Sequence, residues 1–261
     1  MKCPRCEYEV SAGQEECSKC GLRFTMERLE RVIPLLKRPI KTSVEPSSTL
    51  QRIKGTFTSP ALTFWNISQI PDKKGLLFVL VFNALLLSLS YPVLWTHINV
   101  TGSEAFTGTV NLHIWGSFAG LFLSGLGILL LAWILIVFAF WAISRITGGK
   151  GSYRKTFLVT SYAFIPLIIA RVISLAILAV GLPSVTIGET MALGELEAAL
   201  LPLFTSMVWT YSLGVETFFW LWSALLSSLA IRETQNTSTL KALVIAYVVI
   251  ICSLVILWII H

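Results

Sequence analysis

Gly148–Val180 reads GGKGSYRKTFLVTSYAFIPLIIARVISLAILAV. A glycine-rich basic loop passes directly into an apolar run of the roughly 20 residues that a bilayer crossing requires. Gly148, Gly149 and Gly151 permit positive φ and a tight turn, and Lys150, Arg154 and Lys155 suit a loop held at lipid headgroups. A phosphate-cradling loop is the sharper alternative. It is disfavoured because Gly-Gly-Lys-Gly-Ser lacks Walker spacing and no strand precedes it. Within the apolar run, Pro166 predicts a kink that frees the carbonyl of Tyr162, and Arg171 places a full charge inside a span.

The rest of the chain falls into place around this stretch. Of 261 residues, 55% are hydrophobic and 13% charged, against about 45–50% and about 25% in soluble domains. A soluble domain cannot cover that much apolar surface. The sequence therefore predicts an all-α polytopic membrane protein, a bundle of five transmembrane helices near 76–96, 117–143, 157–180, 209–231 and 240–260. Lys and Arg alternate with these spans. Lys73, Lys74, Arg145, Lys150, Arg154, Lys155, Arg232 and Lys241 fall in every second connection, whereas 97–116 and 181–208 contain none. The alternation predicts a cytosolic N-terminus and an outside C-terminus. The net charge of +6 follows from that topology, so nucleic acid is not an expected partner. No cleavable signal peptide is read at the polar N-terminus.

Four of the five cysteines form two Cys-x-x-Cys knuckles, Cys3/Cys6 and Cys17/Cys20, separated by ten residues. Four thiolates on two tight turns match the closed tetrahedron of structural Zn²⁺. Residues 1–24 are too short to hold a core, so the metal supplies the folding energy. Thiolate ligation also implies a reducing compartment. Cys252, inside the last apolar run, reads as a small packing residue.

Residues 25–56 read as a basic linker, either solvated or leaning on anionic lipid. Within it, residues 26–36 suggest a short helix that Pro34 interrupts. An amphipathic helix over about 59–70 follows, with Ser59 as N-cap, Pro60 at its first position and Trp65 at headgroup level. Gly116, Gly120 and Ser124 form a small-residue stripe for close helix approach, within the bundle or between copies. The loop 97–116 holds the sequon Asn99-Val100-Thr101 together with His97 and His113, too scattered for a metal site. The outer loop 181–208 is expected to contain a short amphipathic helix.

From residue 57 onward the chain resembles the Yip-domain family of polytopic membrane proteins. The resemblance is carried by Ser59-Pro60 through Pro71-Asp72, by Gly148-Gly149-Lys150-Gly151-Ser152-Tyr153, and by Tyr162-Ala163-Phe164-Ile165-Pro166. Ser161 stands where the last signature has glycine. It implies a Yip-like membrane domain over 57–261 and, in eukaryotic members, roles in membrane trafficking or organisation. A zinc ribbon fused ahead of such a domain resembles a prokaryotic, often archaeal, arrangement, for which a plasma-membrane location follows. No catalytic constellation is present. The leading reading is a non-enzymatic membrane scaffold or adaptor that recruits a cytosolic protein partner through its ribbon or basic loops. The alternative is a small transporter component using intramembrane charges.

Those charges are Arg171 and Glu216. Arg171 lies roughly 21 Å along its span from Phe157, and Glu216 about 10–12 Å from the outer start of the next span, at 1.5 Å per residue. The two sit at matched depth on consecutive antiparallel helices. An unpaired charge there is costly, so they are expected to pair. Ser212, Ser223 and Ser227 mark the inward face beside Glu216.

Elemental analysis of the purified chain should give one equivalent of zinc, lost on Cys6→Ser; iron, or no metal, would remove the ribbon.

Overall fold

The computed structural model describes residues 3, 8, 9, 11, 17, 19, 30, 32–39 and 47–260. After a 3₁₀ turn at Pro34–Leu36 come α1 (Thr49–Thr58), α2 (Pro60–Gln69), α3 (Lys74–Trp95), β1 (Ile98–Thr101), α4 (Glu104–Ile146) and α5 (Tyr153–Thr160). A second 3₁₀ turn, Ser161–Phe164, leads into α6 (Ile165–Gly181), β2 (Val185–Gly188), α7 (Leu193–Thr205), α8 (Met207–Gln235) and α9 (Thr239–Ile260). Among the described residues, four helical segments are long and apolar enough to cross a membrane: Lys74–Trp95, Glu104–Ile146, Tyr153–Gly181 and Met207–Gln235. The fifth expected span coincides with α9, whose described apolar part, Thr239–Val255, is shorter than the others. Cys252 is exposed on α9 rather than packed.

The chain divides into two compact units. The first comprises Met1–Leu77, Ile134–Ile165 and Leu221–His261. Its α1 lies in what the sequence suggests is linker. A capping box starts it: Ser48 Oγ accepts from Gln51 N at 3.3 Å, and Gln51 Oε1 accepts from Ser48 N at 2.8 Å. This arrangement satisfies two orphan groups at the helix start. Ser59, in a non-helical conformation before Pro60, ends α1 and begins α2, but its side chain makes no cap bond. Its carbonyl instead accepts from the Thr63 hydroxyl and amide, both at 3.0 Å. The helix at 60–69 is packed in protein rather than laid on lipid. Phe64 and Ile67 are fully buried and Trp65 is 2% exposed. Thr63 and Ser68 are buried beside Pro60, Ala61, Phe64, Trp65 and Ile67, an arc of about 200° at 3.6 residues per turn, so neighbouring elements cover more than one side of the helix. Within the stretch read as a linker, the described Leu36 and Glu30 are buried.

The second unit comprises Phe78–Trp133 and Pro166–Trp220. It contains two short strands that the all-α expectation omits. β1 and β2 pair in parallel with Ile98 opposite Val185 and Thr101 opposite Gly188. Backbone bonds from Val185 N to His97 O and from Glu189 N to Thr101 O extend the ladder at each end. Ile98, Val185 and Ile187 bury against Leu178, Leu182 and Leu203. The stretch 97–116 is therefore not a loop. Ser103 caps α4, its hydroxyl accepting from Phe106 N at 3.3 Å, and Glu104 sits favourably in the first turn. From there α4 runs 43 residues, about 64 Å at 1.5 Å per residue, roughly twice the hydrocarbon thickness. The expected helix in 181–208 is α7, after β2. Around Gly116 and Gly120 there is open space, whereas Gly125 faces Ala84 and Leu87. Close approach within this unit thus falls at Gly125 and not on the Gly116/Gly120/Ser124 stripe.

Glu189 joins the two connections of this unit. Its carboxylate accepts the Ser103 amide at 2.8 Å and the Ser103 hydroxyl at 3.1 Å. These two bonds hold its pKa below the ordinary carboxylate value. A depressed folded-state pKa contributes stability that is present above the unfolded value, about 4.3, and is lost as pH falls through the folded one. Protection of the Ser103 amide, relative to its intrinsic exchange rate, should therefore fall as the Glu189 carboxylate protonates at acid pH in the parent chain, and Glu189→Gln should already be less protected at pH 7. Equal protection in both would remove this role.

Candidate functional site

The glycine-rich loop lies against the end of α8. Gly148 has φ +94°, a left-handed conformation that favours glycine. Its N–H donates to Arg145 O at 3.2 Å, and that of Gly149 to Ser144 O at 2.7 Å. Lys150 N reaches the Gln235 carbonyl at 3.0 Å, and Gly151 N reaches the Gln235 side-chain oxygen at 3.0 Å. Gln235 is fully buried and uses its amide nitrogen on Thr156 Oγ1 at 2.7 Å. The backbone of Gly151 passes so close to α8 that a Cβ there would stand 2.0 Å from the Thr234 carbonyl oxygen. The N–H groups of Gly148, Gly149, Lys150 and Gly151, which a phosphate cradle would aim outward, bond within the protein. Its glycines serve close approach.

Tyr162 lies in the 3₁₀ turn. Pro166 has no N–H for the Tyr162 carbonyl, but that carbonyl is not left free. The Ile165 N–H takes it in a tighter three-residue bond. The tightening accommodates the proline and sets the direction of the Tyr162 side chain. Its hydroxyl donates to Asp72 Oδ1 at 2.8 Å, and Arg52 Nη1 lies 3.1 Å from Asp72 Oδ2. Arg52 also donates to the Ile70 carbonyl at 3.1 Å and to the Ser47 carbonyl at 3.2 Å. A Cβ on Gly75 would stand 2.2 Å from the Tyr162 ring, so the start of α3 must be glycine for the ring to lie across it. The match at Pro71-Asp72 and the match at Tyr162–Pro166 therefore meet in one part-buried network. Arg52, 5% exposed, belongs to it although it falls in the expected linker. The signal that places it on a helix is Ser48-x-x-Gln51.

In the second unit, Arg171 Nη1 lies 2.9 Å from Glu216 Oε1, with side chains 27% and 19% exposed. The Ser174 hydroxyl donates to the Ser212 carbonyl at 3.4 Å beside them. In the first unit, Ser223 and Ser227 are fully buried and their hydroxyls are unpartnered among the described residues. The ion pair sits on α6 and α8, both within candidate spans.

Of the four cysteines expected to hold zinc, Cys6 and Cys20 lie outside the described residues. Cys3 and Cys17 are both 1% exposed. The Cys3 amide donates to the Tyr8 carbonyl at 2.8 Å.

Compared with known families, the chain matches the Yip1 domain over residues 54–260. Among curated proteins and among solved structures nothing matches. The matched range covers α2 to α9 and takes in the glycine loop, Tyr162, Asp72, Arg171 and Glu216.

Removing one partner of a part-buried ion pair leaves the other charge uncompensated, which is worse than removing both. Arg171→Ala and Glu216→Ala should each lower the melting temperature in detergent by several degrees, and the double variant should recover part of the loss. Strictly additive losses would mean that the two residues do not support each other.

Proposed function

The chain belongs to the Yip1 domain family, and on that premise we propose that it is a non-enzymatic membrane scaffold or adaptor. A zinc ribbon on Cys3, Cys6, Cys17 and Cys20 recruits a protein partner on the cytosolic side, and the membrane domain holds that ribbon at the bilayer. The observation that carries this reading is the inward use of the polar groups around the glycine loop and Tyr162. The glycine-loop amides, Gln235, Tyr162, Asp72 and Arg52 all bond to one another or to backbone. Groups committed in this way hold helices together and are not available to turn over a substrate. The proposed partner-facing groups are the ribbon and the exposed Lys150 and Arg154.

The orientation proposed with it has the N-terminus and the glycine loop inside, five crossings with α9 as the last, and His261 outside. The alternation of Lys and Arg supports it, as does the preference of thiolate zinc sites for a reducing compartment. For a prokaryotic member the membrane is the plasma membrane. The transporter alternative rests on Arg171 and Glu216. Their 2.9 Å contact neutralises both charges within the described state, which favours a structural tie.

Affinity capture from membranes should recover a protein with the full chain that is lost when residues 1–24 are deleted or Cys17 is changed to Ser. A single cysteine at Ser152 should resist an impermeant reagent in intact cells, while one at Thr107 should react. Capture that is indifferent to the ribbon would overturn the adaptor reading. A solute taken up by the parent chain but not by a stably folded Arg171→Ala chain would replace it with the transporter reading.

A further inference from the structure

Arg232 stands at the end of α8 and is 2% exposed. Its Nε donates to Glu233 Oε1 at 3.0 Å. Its Nη1 donates to the Leu36 carbonyl and, at 3.3 Å, to Thr239 Oγ1. Glu30 Oε1 lies 3.6 Å from the same nitrogen. Nη2 is buried and has no partner among the described residues. Glu30 is itself 3% exposed. Besides Arg232, its carboxylate takes Arg38 Nε at 2.9 Å and the Thr239 hydroxyl. Arg38 Nη2 continues to the Thr237 carbonyl at 3.2 Å. Leu36, between the two charges in sequence, is fully buried.

The receiving groups all lie within a few residues of one another, on the end of α8 and the start of α9. Without residues 30–38 they would present a guanidinium with only Glu233 as counter-charge, together with the Thr239 hydroxyl. Nη1 and the Thr239 hydroxyl would then lose the acceptors that residues 30–38 supply, which is unfavourable for a charged group held beside a packed helix end. Their geometry fits a carboxylate, which accepts several bonds at once. The beginning of the chain supplies that carboxylate, a backbone carbonyl and a leucine from one short stretch. This is how a peptide ligand is held: a charged anchor, a main-chain bond and an apolar side chain in a slot.

We propose that the α8–α9 connection is a carboxylate-binding peptide site, built on Arg232 and Thr239, and that its resident ligand is the chain's own segment from Glu30 to Arg38. Glu30 is the anchor and Leu36 the apolar plug. Arg38 locks the far end and balances the cluster, two cations against Glu30 and Glu233. The site fixes whatever lies N-terminal to residue 30 against the membrane domain. It stands on these contacts alone and holds whether or not the N-terminal cysteines recruit a partner.

The test uses the full chain in detergent, with a specific protease site inserted between Ser43 and Val44. After cleavage, the fragment 1–43 should co-elute with the remainder on size exclusion. Glu30→Gln, which keeps the shape and removes the charge, should reduce the retained fraction at least tenfold. A synthetic peptide of residues 27–39 added to the cleaved parent chain should displace the fragment, and the same peptide with Gln at position 30 should need at least ten times the concentration. The peptide arm decides the matter even if the Glu30→Gln chain folds poorly. The proposal is overturned if the parent fragment dissociates on cleavage, or if the Glu and Gln peptides displace it equally.

Discussion

Tyr162 lays its ring across the backbone of Gly75 and its hydroxyl on Asp72, and much of the first unit depends on that contact. A phenol buried at the start of an apolar helix needs a partner for its O–H, because leaving it unmade costs about 1–3 kcal/mol. Asp72 supplies the acceptor at 2.8 Å. The carboxylate in turn requires a counter-charge, which Arg52 provides from α1 at 3.1 Å. Arg52 completes its own bonding on the Ile70 and Ser47 carbonyls. Each polar group is thus satisfied by the next, from the 3₁₀ turn through the α2–α3 connection to the first helix. The sequence features that make the chain possible are local. Pro166 forces a tighter turn at Tyr162, and Gly75 has no side chain to block the ring.

The end of α8 repeats this logic with backbone groups. The amides of the loop between α4 and α5, packed against that helix end, need acceptors from the protein. Gln235 meets two of them, one through its carbonyl and one through its side chain. Thr156 and Thr234 close the arrangement with a hydroxyl contact of 3.2 Å. Three glycines in four residues resemble a ligand-binding loop when read as letters. In space they allow a backbone to pass against a helix end, with Gly151 alongside the Thr234 carbonyl.

What was legible in the sequence followed from the scale of each signal. Apolar runs of membrane length identify α3, the central part of α4, α6 and α8, because bilayer crossing constrains some twenty consecutive positions at once. The contact between Arg171 and Glu216 follows from depth alone, since two charges on adjoining antiparallel helices have few other ways to be neutralised. The β1–β2 pairing was not legible. Four residues on each side give no periodicity, and their register is set by a core that forms only when α6, α7 and the strands meet. The start of α4 and the whole of α1 were legible in principle, through Ser103-Glu104 and Ser48-x-x-Gln51. Basic and proline-rich composition concealed α1. Nothing local marks Glu30 as a partner of Arg232, two hundred positions away.

The buried charges are of two kinds, and the difference follows from how much water each retains. Arg171 and Glu216 form a simple pair on part-exposed side chains. Such a pair offsets its own desolvation and adds little to stability. Arg232 is different, with about 1% of its side chain exposed and Glu30 at 3%. A guanidinium so enclosed is tolerable only when a carboxylate and several acceptors surround it, and half of that set comes from a segment remote in sequence. An apolar end to α8 would be easier to bury, yet it would accept any hydrophobic stretch. The buried arginine accepts only a segment with a carboxylate and a carbonyl at the right separation. The same desolvation that makes the site costly when empty therefore makes its docking of residues 30–38 selective.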